Sequence, residues 1–324
     1  MLWLFFVILS YLIFAAVVLV DKYLLSGKRM SPAVYTFYIG VLGMLAFFLV
    51  PFVGFTIPSV SQILLSIGAG AFLVYAVFWF AKGVQKYEPS RIIPAMGALD
   101  AILVFLLVFA TTKGEAVLSL NHLASLFLLV LGTLLITFEK RHLLSFTGLR
   151  IALINAAFFA GAFVMAKYVY LSQPFWSGFI LMRLGGLLVA LLFLFFFREV
   201  REELAGKGNP STSRSTLRVS DPMGSGQKHF WENPRVAIVF LLSQSAGAGA
   251  EVLRSFAVFL VPLALLPFIN ALLGIQYVAI LVFAALLSWK LPHILKEHVS
   301  RDTLLQKIFA ILLMALGLGI LGIQ

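Results

Sequence analysis

The chain is predicted to be an all-α integral membrane protein of ten transmembrane helices, built as two inverted five-helix repeats. Three observations carry that prediction. With 62% hydrophobic and 11% charged residues over 324 positions, and a mean hydropathy of +1.05, there is too little polar surface to cover a water-soluble body. Ten apolar runs are each near the roughly 20 residues that a helix rising about 1.5 Å per residue needs to cross a bilayer. Finally, the second half echoes the first: FAAVVLVDKY at 14–23 returns as FAGAFVMAKY at 159–168, the same offset carries Gly40 onto Gly185, and AILVF recurs at 101–105 and 279–283. Five spans per half is an odd number, so a repeated unit must return upside down.

The first span, 2–21, is followed by Lys22, Lys28 and Arg29. It lacks a basic leader and a small-residue cleavage site, and is expected to be retained rather than cleaved. Span 2 covers 32–52. Span 3, 59–80, opens a stripe of Tyr75, Trp79, Lys82 and Lys86 at helical spacing. Such a stripe reads either as a stacking and cation–π surface for a ligand or as an interfacial belt with snorkelling lysines; for Lys82 and Lys86 the belt is the expectation. Span 4, 92–110, has Pro94 near its start and Asp100 near its centre, and span 5 is 120–138.

The second half opens with 148–171 and continues with 176–197, which holds Arg183. Span 8, 236–258, carries Gln244, Ala248, Glu251 and Ser255 along one face, with Gly247 and Gly249 suited to close packing or to a helix break. Span 9, 264–288, offers Asn270, Gly274 and Tyr277 on one face with Gln276 beside it, and Pro262 and Pro267 permit a kink at its start. Span 10, 304–323, contains a GxGxxG at Gly317, Gly319 and Gly322. No strand precedes it, so helix packing is expected there rather than a dinucleotide site.

The net charge of +11 does not call for nucleic acid. Of 24 Lys and Arg residues, 20 fall on one side of the ten-span arrangement, which the positive-inside rule makes cytoplasmic and which places both termini outside. An inner, plasma-membrane location is expected. The long connection 198–235 is rich in Ser, Gly, Pro and charge and reads as a flexible basic linker, dividing the second repeat (147–324) but not the first (1–139). With no cysteine in the chain, thiolate metal sites and thiol catalysis are excluded. All five histidines are assigned to loops, so neither a metal nor another cofactor is expected.

Ionisable groups inside a bilayer are costly and mark a cavity or a partner. Four stand well inside spans. Asp100 has no opposite charge one turn away in sequence, while Arg183, Glu251 and Arg254 are placed to meet one another, either around a substrate or as a packing network. Together with Gln244, Asn270, Tyr277, Tyr75 and Trp79 they form the candidate substrate or coupling site.

At this point the chain resembles the EamA-like branch of the drug/metabolite transporter superfamily. The likeness rests on the ten spans, the inverted repeat and the Lys-Tyr ending the first helix of each repeat. Lys113-Gly114-Glu115 before span 5, Gly132 within it, and Arg183 early in the second helix of its repeat also agree; Lys296-Glu297 lacks the expected glycine, and Tyr38 replaces the arginine in the first repeat. The resemblance implies a secondary transporter, an exporter of metabolites, amino acids or drugs working by alternating access. From the residues themselves, a carrier of small solutes with Asp100 as its protonatable group leads, and a lipid-linked or amphipathic cargo is the alternative. An intramembrane enzyme lacks a catalytic constellation, and a non-transporting scaffold would leave the charges unexplained. A single chain encloses a complete cavity, so a monomer is expected to function, with a homodimer left open.

Overall fold

The computed structural model describes residues 2–25, 30–87, 89–115, 119–137, 145–205, 234–290 and 301–322. All regular structure among them is helical: α1 (Leu2–Leu25), α2 (Pro32–Leu42), α3 (Val50–Val53), α4 (Val60–Lys86), α5 (Pro89–Thr111), α6 (Leu120–Thr137), α7 (Phe146–Ser172), α8 (Phe175–Phe196), α9 (Arg198–Leu204), α10 (Pro234–Leu260), α11 (Leu266–Ala271), α12 (Leu273–Lys290) and α13 (Arg301–Gly322). Eight of the described helical stretches are long and apolar enough to cross a membrane, and two further apolar helices are shorter. The protein is therefore an all-α, multi-pass membrane protein.

Several boundaries depart from the sequence expectation. Span 2 is not one α-helix. After Leu42 it tightens into a 3-10 segment, Gly43–Leu49, before α3, where Pro51 removes a backbone donor. Span 9 is divided at Leu272 into α11 and α12; Pro262 precedes a 3-10 turn, Leu263–Leu265, at its start, and Pro267 lies in the first turn of α11. The first part of the presumed linker folds as α9, with Arg198 paired to Glu202 and Val200 buried. His122 lies in the first turn of α6 and not in a loop. Residues 206–233 of the linker, the other four histidines and Lys296-Glu297 lie outside the described residues, and Pro234 and Arg235 open α10.

Helix α4 packs along α7 and α8, α1 along α10, and α6 along α13. Small residues permit these approaches. A Cβ on Gly70 would lie 1.7 Å from the Met182 carbonyl oxygen, and one on Gly185 1.9 Å from that of Ile67, so α4 and α8 meet backbone to backbone. Gly132 and Gly317 do the same for α6 and α13, where the Ser125 hydroxyl also donates to the Gly317 carbonyl at 2.6 Å.

Two lysines 145 positions apart make the same kind of bond. Lys22 Nζ donates to the carbonyls of Val84 and Tyr87 at the end of α4, 2.8 and 2.9 Å away. Lys167 Nζ donates to those of Val258 and Phe259 at the end of α10, at 3.1 and 3.0 Å. Both supply a cation to the free carbonyls and negative dipole end of a long helix. Elsewhere, Gln62 reaches the Ser172 carbonyl, Gln173 the Ser66 hydroxyl and Ser177 the Thr56 amide. Those three bonds fasten the α2–α4 connection and the start of α4 to α7 and α8.

Candidate membrane cavity and its charged lining

Between the helices lies a cavity of about 540 Å³, lined from α1, α2, α4, α5, α7, α8, α10, α11 and α12. Its walls are mostly apolar, with a few convergent polar groups, which is the usual make-up of a small-molecule site. Of the sequence-predicted residues, Asp100, Arg183, Gln244, Glu251, Arg254 and Asn270 line it.

Glu251 stands between two arginines. Arg254, one turn on along α10, donates to its Oε2, Arg183 of α8 stands 3.6 Å from its Oε1, and Ser255 approaches the same oxygen at 3.5 Å. Both guanidiniums also lie against aromatic rings: Arg183 is 4.2 Å from the Phe179 centroid, and Arg254 is 5.1 Å from Phe14 and 5.0 Å from Phe163. Stacking offers a guanidinium favourable contact where little water is present. Arg183 is not saturated, because its Nη2 makes no hydrogen bond within the described residues.

Asp100 lies deeper. It is 6% exposed, its Oδ1 has no hydrogen-bond partner within the described residues, and Arg254 is the cation whose field reaches it. Two neighbouring tyrosines direct their hydroxyls elsewhere: Tyr11 donates to the Ile269 carbonyl at 2.7 Å and Tyr277 to that of Ile93 at 2.5 Å. Tyr277 therefore ties α12 to α5 and is not part of the cavity lining. Asn270, at the end of α11, is 2% exposed with an unpartnered Nδ2, and Gln276 follows on the other side of the helix break.

Tyr75 and Trp79 lie elsewhere. Tyr75 packs in an aromatic cluster with Phe78, Phe158 and Phe193, and Lys82 lies 4.6 Å from the Trp79 ring and 4.4 Å from that of Phe78. These residues form a ring-and-lysine surface on the other side of α4, and neither Tyr75 nor Trp79 lines the cavity.

Asn155 and Asp21 are among the lining residues that the sequence reading missed. Asn155 donates to the Ala76 carbonyl at 2.9 Å from inside the lining. Asp21 is 3% exposed and also lines the cavity, because α1 continues past it to Leu25. The signal was present in the repeat, since the second-half partner of Lys22 is Lys167, well inside its helix.

The cavity has a side opening. Helices α2 and α10 meet where the Phe240 ring touches Tyr35 and Tyr38, with centroids 6.4 and 6.1 Å apart. Further along, α2 has become the 3-10 segment, and α10 exposes Ala248 and Gly249. Leu45 and Leu241, on the two sides, are both cavity-lining and exposed. Gly247 and Gly249 neither break α10 nor pack closely: a Cβ on Gly249 would meet nothing within 4 Å, and one on Gly247 only Val17. Among the described residues no group of three His, Asp or Glu is placed to hold a metal ion.

Compared with known proteins, the sequence matches no family model and no curated protein. The fold does match solved structures, 26 chains in all. One of these, a protein crystal structure, superposes with a TM-score of 0.54 over 98% of this chain and 94% of its own, at 18% identity. At that identity the likeness is one of fold.

Proposed function

We propose that the protein is a secondary transporter, with ten spans in two inverted repeats and its substrate site in the central cavity. The observation that carries the reading is the cavity itself: a mid-membrane space lined by an unpartnered carboxylate and by two stacked arginines sharing one glutamate. Such groups are held inside a bilayer at a cost that a purely structural bundle avoids. The paired lysine caps, Lys22 on α4 and Lys167 on α10, support the inverted repeat, since equivalent residues do equivalent work at the third long helix of each half. The basic connections make the α1–α2 end cytoplasmic, in a plasma-membrane setting.

In this reading Asp100 is the coupling residue, exchanging a proton as the cavity opens to each side, and Arg183 and Arg254 recognise an anionic group of the cargo. The open flank between the 3-10 segment and α10 favours a second form of the proposal, in which the cargo is amphipathic or lipid-linked and keeps an apolar part in the bilayer.

The test is transport in proteoliposomes of radiolabelled amino acids, sugars, nucleosides and a short-chain lipid, with and without an imposed pH gradient. Gradient-driven movement that Asp100→Asn abolishes, in protein that still elutes as a folded species, is the expected result. Uphill transport unchanged in Asp100→Asn would remove Asp100 from the mechanism. No movement of any probe by folded wild-type protein would sink the transporter reading.

A further inference from the structure

The cavity lining carries three carboxylates, Asp21, Asp100 and Glu251, against two guanidiniums. Glu251 is held by both arginines, and Asp100 lies within the field of Arg254. Neither Asp100 nor Asp21 forms an ion pair with a described basic side chain, and of the two it is Asp21 on which no described arginine acts. Its neighbour in sequence, Lys22, directs its ammonium to the carbonyls at the end of α4.

What surrounds Asp21 is neutral and partly aromatic. Gln244 Nε2 approaches its Oδ1 at a long 3.5 Å, and Tyr35, which also lines the cavity, lies beside the same carboxylate. The Tyr35 ring packs on Phe240, which also meets Tyr38. A buried carboxylate, neutral polar groups and nearby rings form the environment that stabilises an ammonium, which gains Coulomb energy from the acid and cation–π attraction from the rings.

The position of this group along the cavity follows from two helices. On α1, Phe14 touches Arg254 and Asp21 comes seven residues later; on α10, Gln244 touches Asp21 and Glu251 comes seven residues later. Both separations are about 10 Å at the helical rise. Val17, Val18, Gly247 and Ala248 line the stretch between.

We propose that Asp21, Tyr35 and Gln244 form a second subsite, about 10 Å from the arginine pole, that binds a positively charged nitrogen. The inference deepens the transporter reading by assigning the cargo class: a molecule with a cationic nitrogen at the α1–α2 end of the cavity and an apolar body reaching toward the arginines. Asp21 has no counterpart in the second repeat, where Ala166 occupies the equivalent position, so the subsite exists at one end of the cavity alone.

The test is equilibrium binding of radiolabelled hexylammonium to purified full-length protein in detergent, which requires no transport. Saturable binding to the wild type is expected, weakened about tenfold in Asp21→Asn and severalfold in Gln244→Leu, as loss of a charge-assisted contact and of a polar neighbour predicts. Hexanoate should not compete for it. As a second readout, hexylammonium should protect Asp21, and not Asp100, from carbodiimide modification mapped by mass spectrometry. Absence of saturable binding to the wild type, equal affinity in Asp21→Asn, or protection of Asp100 in place of Asp21 would each overturn the proposal. Since Asp21→Asn can misfold, the carbodiimide map on wild-type protein decides the matter independently. Binding at Asp21 in a protein that moves no solute would leave the subsite standing and remove the transporter reading; transport without hexylammonium binding would do the reverse.

Discussion

Replacing Glu251 by glutamine should reveal whether the charged network is a single coupled unit. The side chains of Arg183, Glu251 and Arg254 are 15%, 16% and 13% exposed, so the glutamate is largely out of contact with solvent. Removing one partner of a fully buried pair costs about 3–5 kcal/mol. Exposure to the cavity reduces this, and about 2–3 kcal/mol is expected for Glu251→Gln, or a fall of roughly 5 °C in Tm. Arg254→Gln leaves Glu251 with Arg183 but loses the ring contacts to Phe14 and Phe163, so it should cost about 2 kcal/mol. If the two act through each other, the double variant will lose less than the sum, with a coupling energy of about 1.5 kcal/mol. The assay is a double-mutant cycle, with Tm read from the intrinsic fluorescence of the five tryptophans and free energies from reversible unfolding in mixed micelles. A coupling energy below about 0.5 kcal/mol would show that the ion pair contributes little and would refute the reasoning.

Two further outcomes are expected. Gly185→Ala places a Cβ against the Ile67 carbonyl and should destabilise by about 3 kcal/mol, whereas Gly249→Ala meets nothing and should stabilise α10 by up to about 1 kcal/mol through helix propensity; equal effects in thermal unfolding would contradict the packing described. Lys167→Met keeps the length of the side chain but removes its two bonds to α10, with an expected loss of about 2 kcal/mol and faster amide exchange over 258–261. Unchanged exchange there would mean that the cap is not formed in the membrane protein.

Much of the fold was legible because crossing a bilayer depends on a sum over consecutive residues, and no distant partner enters that sum. Hydropathy therefore located the long helices to within a few residues, and of the three α13 glycines expected to serve helix packing Gly317 does so, whereas Gly319 and Gly322 meet no neighbour. The same logic explains what was missed. Asp21 looked like the polar end of a span because hydropathy falls there, yet α1 runs on to Leu25 and carries it into the cavity. Span 2 looked like one helix because a 3-10 segment is as apolar as an α-helix. Tyr75 and Trp79 share helical spacing with a polar stripe, but spacing does not say which neighbour the stripe faces.

The sequence by itself determined that this protein is an apolar bundle of membrane helices with a few costly charges inside it, since solvent preference is a property of each residue. Tertiary structure decided which charges share a cavity, that Glu251 serves two arginines while Asp100 and Asp21 do not, and that Gly247 and Gly249 make no close helix contact. The reason is physical: lipid tails and protein interiors are alike in polarity, so no apolar stripe marks the face a membrane helix turns inward. That choice is made by close packing between segments far apart in the chain.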